Sequence, residues 1–273
     1  MKYKITFLLL IKNRPLFFNR WYSFHSEKLK NCKLYIADGG NQSIFNNDKT
    51  KILKRKNIIY KKYQFDKDYL TFFKKVKSSL NQIKTKYVIF CSDDDFLNVE
   101  KIITTSKILE RKSFFFKAAS GKFVSFTGID KYDRINSNIT GLSFLNKNKN
   151  FYSKNNFFRL INFYKYPEGA FHYIVETNVL KKMYSLALKL KLKSADMLDL
   201  HVNTMLYSSI NILRVKHIFH LHQFHEKSEA HNRSYSRLKN QKNWHYEKEL
   251  YINSVCKFIG KKNFKKKINE LQK

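Results

Sequence analysis

Glycine and proline are scarce in this 273-residue sequence, with 7 and 2 residues. Collagen-like and low-complexity chains need both in quantity, so those classes are excluded. Cysteine is scarce as well. Cys32, Cys91 and Cys256 are odd in number and widely separated, which argues against a disulfide framework or a paired-cysteine zinc site and fits a reducing cytoplasm. No run approaches the ~18 apolar residues that a membrane-spanning helix requires, so any membrane contact is expected to be peripheral. Residues 5–11 resemble the apolar core of a signal peptide, but Lys12, Asn13, Arg14 and Pro15 follow at once and no small-residue cleavage site does. They read as a buried first strand. A glycine-rich phosphate loop is missing, as are Ser-His-Asp and Cys-His arrangements, which disfavours kinases, ordinary NTPases and hydrolases.

Acidic residues are the last shortage: 21 Asp and Glu stand against 54 Lys and Arg, for a net charge of +33. Biased composition, an anionic membrane surface and nucleic acid are three competing origins. A nucleic-acid footprint concentrates charge on one face or arm. Here lysines run the whole length, alongside abundant Asn, Ile, Phe and Tyr, so composition ranks first, anionic lipid second, and no nucleic-acid partner is expected. What is present, 43% hydrophobic and 16% aromatic residues, suffices for one sizeable core.

The N-terminal half alternates short apolar runs with segments of helical period, the pattern of parallel strands joined by crossover helices. Strands are predicted at 5–11, 33–37, 58–63 and 87–91. Leu16, Phe17, Arg20, Trp21, Phe24 and Leu29 form a helical stripe after Pro15, and Leu70, Phe73, Val76, Leu80 and Ile83 form another. A helix over 99–111 and a strand over 122–129 follow. Residues 131–156, rich in Asn, Ser and Lys, read as a surface loop. Helices are predicted at 155–164, 177–190 and 196–207, the last capped by Ser194. Short strands are predicted at 171–175, 210–215 and 217–221, and a basic helical segment closes the chain.

Chemistry is concentrated at the end of the fourth strand, in Asp93, Asp94 and Asp95. On an extended chain Asp93 and Asp95 share a face while Asp94 points away. Adjacent carboxylates repel and favour protonation unless a cation accompanies them. A hard divalent ion that takes one or two carboxylates plus substrate phosphates would satisfy the group. A solvated turn or helix start, both of which favour Asp, is the structural alternative. Open α/β sheets bind ligands beyond the carboxyl ends of their strands. Asn13-Arg14 after the first strand and Asp38 after the second lie at such ends too, although Asp38 could simply nucleate the Gly39-Gly40 turn.

The blocks Ile5 to Leu10 with Asn13-Arg14-Pro15, Tyr35-Ile36-Ala37-Asp38-Gly39-Gly40, and Tyr87 through Leu97 resemble successive motifs of GT-A fold, family-2-like glycosyltransferases. The resemblance covers residues 1 to about 130. It implies an α/β fold, a Rossmann-like mixed sheet flanked by helices with a basic helical C-terminal tail, and a metal-assisted, inverting transfer using Mn2+ or Mg2+. By that resemblance Arg14, Asp38, Asp93 and Asp94 would bind the nucleotide sugar, and Asp95 with Asp93 and His222 would ligate the metal. The catalytic base would be Asp196, with Asp199 as substitute; Ala195 departs from the family's usual Glu-Asp pair, and Glu168 is a third candidate. A helix start favours Asp196 and Asp199 without any catalysis. His222 belongs to a cluster with His217, His220 and His225, near His231, for which zinc is the competing ligand.

The expected organisation is a glycosyltransferase domain over 1–230, with a nucleotide-sugar half at 1–130 and an acceptor half at 131–230, then a basic extension at 231–273. The partners implied are a nucleotide-diphosphate sugar and a glycan or lipid-linked acceptor, reached from the cytoplasm with peripheral contact to an anionic membrane. A basic nucleic-acid-binding protein and a nucleotidyltransferase on the same fold are the alternatives.

Overall fold

The structure, a computed structural model, describes residues 4–45, 49–128, 139–145, 153–165, 169–224 and 243–260. Strand β1 (Ile5–Ile11) is buried along its whole length because helices cover both of its faces. Its side chains alternate between two cores: Leu8 and Leu10 enter one, while Ile5, Phe7, Leu9 and Ile11 enter the other. Strand β4 (Tyr87–Cys91) divides in the same way, Val88 and Phe90 against Tyr87, Ile89 and Cys91. The molecule is therefore three layers, helix on sheet on helix.

Helix α1 (Pro15–His25) leads to β2 (Lys33–Asp38), then α2 (Lys49–Leu53), β3 (Ile58–Lys62) and α3 (Tyr69–Gln82) before β4. After the acidic triplet come β5 (Phe96–Leu97), α4 (Val99–Arg111), β6 (Ala118–Gly128), β7 (Ile139–Leu145) and α5 (Asn156–Lys165). The remainder is β8 (Ile174–Glu176), α6 (Thr177–Lys189), α7 (Ala195–Ser209), β9 (Ile212–Phe224) and α8 (Trp244–Ile259). The strands form one sheet in the order β3-β2-β1-β4-β8-β6-β9-β5, with β7 paired to β6. Strands β1 to β4 are mutually parallel; β8 then runs antiparallel to β4, and β9 antiparallel to β5. Chain order reverses between β1 and β4, which creates the topological switch point at which open sheets form a crevice. No helix among the described residues is long and apolar enough to cross a membrane.

Ser194 caps α7 as expected, accepting from the Met197 amide at 3.4 Å, and Asp68 caps α3, accepting from that of Thr71 at 2.7 Å. The stripe on α3 is as read, with Phe73, Val76 and Leu80 buried and Ile83 joining them just past the helix end. The stripe on α1 is rotated: Phe17, Phe18, Trp21 and His25 are buried, while Leu16 and Phe24 face outward. His25 causes the rotation by joining the buried face. Its Nε2 accepts from the Leu97 amide at 2.8 Å, so its Nδ1 carries the proton and donates to the Trp21 carbonyl at 2.8 Å. The expected loop at 131–156 contains a strand, β7, and the start of α5; residues 129–138 and 146–152 lie outside the described residues. The two strands expected at 210–221 are one continuous β9, held by its parallel pairing with β6 despite register shifts near Lys122. Of the C-terminal segment, α8 is described; its Trp244, Tyr251, Ile252, Val255 and Ile259 pack into the first core.

Burial lowers His25 to about 4, and likewise His201, whose Nε2 lies 2.9 Å from Ser254 Oγ between α7 and α8. A histidine held neutral in the fold binds its proton more readily when unfolded, so its contribution is intact above ~6.5. It is lost as the pH falls toward 4. Thermal melts should show the midpoint dropping over this window. His25→Phe, which leaves the Leu97 amide unpaired, should cost about 1–3 kcal/mol at neutral pH and flatten the acid slope.

Candidate active site

Asp93, Asp94 and Asp95 leave β4 at the switch point and are nearly sequestered, at 3%, 7% and 1% exposure. This is no solvated turn. Arg14, just past β1, reaches across and grips two of them, with Nη1 at 3.1 Å from Asp93 Oδ1 and Nη2 at 2.9 Å from Asp94 Oδ2. Burial works against the Arg14 charge, yet Asp93 and Asp94 outweigh it and hold the guanidinium above its ordinary value. Burial pushes Asp93 up to about 7; Arg14 pulls against this and Asp94 adds to it. Arg20, one turn into α1, donates to the Asp94 carbonyl at 3.4 Å and lies over the rings of Phe17 and Phe96.

Asp95 points the other way, into a nest of imidazoles. Antiparallel pairing of β5 with β9, Phe96 opposite Leu221, carries His222 alongside Asp95, and His222 Nδ1 sits 2.7 Å from Asp95 Oδ1. Antiparallel pairing of β8 with β4 returns the residues before β8 to the carboxyl end of β4, and His172 Nε2 comes within 3.3 Å of Asp95 Oδ2. The His172 ring stands 4.1 Å from that of His220. Ligand atoms of Asp95, His172 and His220 lie within 4.8 Å of one another, a cluster able to hold a metal ion. His172 and His220 are kept neutral, the first by burial and the second by burial plus its two histidine neighbours, which is the ligating form. His222 is opposed by burial but carried above its ordinary value by the hydrogen bond and charge of Asp95.

Asp95 Oδ2, Asp93 Oδ2 and His220 Nδ1 are buried without a hydrogen-bond partner among the described residues. Orphaned acceptors of this kind are costly unless something else binds there. A donor set of one carboxylate and two imidazoles fits Mn2+ better than Mg2+, which prefers oxygen throughout. The structure thus brings Asp95 and His222 together and adds His172 and His220 beside them, but Asp93 does not share a face with Asp95: it turns with Asp94 to Arg14, because β4 ends at Cys91 before the triplet. His172 was missed because it stands alone, with no histidine or carboxylate within three positions to suggest a ligand pattern; only the return of β8 beside β4 brings it to Asp95. His220 carried a signal, its two-residue spacing from His222 on a strand.

Asp38 is fully buried at the end of β2, and its carboxylate is already engaged by the Gly40 amide, the Tyr60 hydroxyl and Lys62 Nζ, each at 2.8 Å. The turn it shapes is crowded. A Cβ on Gly39 would meet the Asp66 carboxylate at 2.1 Å, and one on Gly40 would meet Asn13 Oδ1 at 2.5 Å. Asp66 is itself buried and ion-paired to Lys75 of α3. Asp196 and Asp199 occupy the first turns of α7, on the partly exposed side. Farther along that helix, Asn203 accepts from the Ala170 amide at 2.9 Å and so ties α7 to the segment bearing His172. Glu168, His225 and His231 lie outside the described residues.

No protein-family model matches the sequence, and no curated protein matches it. Solved structures match it in fold, a curled mixed sheet flanked by helices. Residues 1–349 of S. aureus TarS superpose with a TM-score of 0.57 at 12% identity, over 94% of this chain and 81% of that one. The same fragment in complex with UDP-GlcNAc gives 0.56 at 11%, covering 96% and 75%, and in complex with UDP 0.52 at 11%, covering 95% and 72%.

An acid whose folded value is raised favours the fold below its ordinary value and loses that contribution as pH climbs through the raised one. For Asp93 the window runs from 3.8 to about 7. Asp93→Asn should therefore raise the melting midpoint at pH 8, by roughly 2–4 °C per kcal/mol recovered, and change little near pH 4.

Proposed function

We propose that this chain is a glycosyltransferase that moves a sugar from a uridine-diphosphate-type donor to a glycan or lipid-linked glycan, with a divalent metal ion and inversion at the sugar. The observation that carries the reading is the buried Asp95, His172 and His220 cluster at the switch point of a glycosyltransferase fold. UDP-GlcNAc and UDP complexes of S. aureus TarS, a neighbour in fold, support the donor class.

Asp95, His172 and His220 would hold the ion, with His222 orienting the Asp95 carboxylate. Such an ion, when bound, neutralises the charge that builds on a departing diphosphate. Arg14 holds Asp93 and Asp94 in place and supplies positive potential to the same crevice. Asp38, Tyr60 and Lys62 shape the corner beside the Gly39-Gly40 turn where the base or ribose is proposed to lie. Asp196 or Asp199 would deprotonate the acceptor hydroxyl, since Asn203 ties α7 to the segment bearing His172 at the same rim. The protein is proposed to work against an anionic membrane face, given the excess of 33 positive charges.

Calorimetric titration with UDP, with and without Mn2+, tests the metal assignment. Binding should require Mn2+ and fall at least tenfold in Asp95→Ala and in His220→Ala; unchanged Mn2+ dependence in Asp95→Ala would sink it. In transfer assays, whichever of Asp196→Asn and Asp199→Asn removes the base should lower kcat by about 10²–10⁴ while leaving UDP affinity intact. Wild-type kcat in both variants would remove α7 as its source.

A further inference from the structure

Phe114 is 97% exposed, more than any other large apolar side chain among the described residues. It stands at the tip of Arg111-Lys112-Ser113-Phe114-Phe115-Phe116-Lys117, the turn between α4 and β6, where three aromatic residues are bracketed by cations. The turn is held in shape rather than collapsed. The amides of Phe115 and Phe116 donate to the Lys112 carbonyl at 2.9 and 3.0 Å, and the Phe115 carbonyl accepts from Asn211 Nδ2 at 3.3 Å. Asn211 Oδ1 in turn accepts from the Ser153 amide at 3.3 Å, bringing the start of α5 to the same edge. There Phe158 is 57% exposed.

Charge at this edge is one-sided. Glu110 is paired with Lys4 at 2.5 Å and Glu176 with Lys117 at 3.2 Å, while Arg111, Lys112 and Lys154 are exposed. We propose that this edge is the membrane-contacting surface, with Phe114 and Phe158 entering the headgroup region of an anionic bilayer and Arg111, Lys112 and Lys154 facing lipid phosphates. Exposed rings framed by uncompensated cations complement such an interface on both counts, apolar burial and charge. The inference deepens the membrane reading above and rests on it.

It also fixes an orientation. Ala118 of β6 and Val88 of β4 both pair with Val175, so β6 begins level with the start of β4. Helix α4 leaves the acidic triplet and ends at Arg111, about 20 Å away for its 13 residues. The aromatic edge is thus at the end of the sheet opposite Asp93 to Asp95. With that edge on lipid the crevice faces away from the bilayer, which suits the distal end of a long glycan chain and not a hydroxyl at the lipid surface.

Cosedimentation of the full chain with vesicles of phosphatidylcholine, with and without one-third phosphatidylglycerol, tests the proposal. The wild type should bind only the anionic vesicles. Phe114→Ser should weaken that binding about tenfold, and Phe114→Ser with Phe158→Ser further, with melting midpoint and UDP titration unchanged. Phe114→Trp should retain binding and shift its emission to the blue, Trp21 and Trp244 being buried already. Undiminished binding of the double variant overturns this surface while leaving the membrane reading intact. No binding by the wild type overturns both, whatever UDP does. A wild-type dimer that Phe114→Ser converts to monomer, with vesicle binding unaltered, overturns it in favour of contact between copies.

Discussion

Three consecutive carboxylates removed from water repel one another, and the crevice is arranged around that repulsion. The strain is divided rather than shared equally. Arg14 takes Asp93 and Asp94 from one side, and three histidines surround Asp95 from the other. Two of those imidazoles, His172 and His220, are held toward the neutral form by burial, while His222 is drawn toward its charged form by Asp95. Stability is given up at this point. Asp93, pushed to about 7 by burial, makes the fold less stable as pH rises, as expected where a site is built for something other than the fold.

The sheet supplies both sides of that arrangement because it changes direction. Its parallel half, β3-β2-β1-β4, ends in Asp38, Arg14 and the triplet, all at the same edge. Its other half folds back, with β8 antiparallel to β4 and β9 antiparallel to β5, so residues distant in sequence return to that same edge. The two halves are one sheet with two shared cores. The described residues of 131–230 are therefore continuous with those of 1–130, and His25 adds a further link by bonding α1 to β5 immediately after the triplet.

Excess positive charge has different local meanings. Lys75 is buried and paired with Asp66 beneath the Gly39 turn, Lys62 is bound to Asp38, and Lys4 and Lys117 neutralise glutamates. Arg111 and Lys112 at the turn after α4 have no such partner acid among the described residues and frame exposed rings. The same residue type thus supports the turn at the end of β2 and creates a surface at the opposite end of the sheet.

The sequence by itself determined the parallel strands, the apolar face of α3, the Ser194 cap and the position of the acidic triplet at a strand end. Each follows from local period or from turn chemistry, which neighbouring residues carry unaided. Tertiary structure alone decided the rest. His25, polar on paper, joins the buried face of α1 because Leu97 needs an acceptor; β7 exists because β6 offers it an edge; β9 is unbroken because β6 pairs along it. For the triplet, strand alternation put Asp93 with Asp95 and set Asp94 apart, but β4 ends at Cys91 and Asp93-Asp94 lie in a turn, so Arg14 takes Asp93 and Asp94 together and Asp95 faces the histidines. Arg14 lies 80 positions from Asp94 and His222 lies 127 from Asp95, and only strand pairing closes such distances.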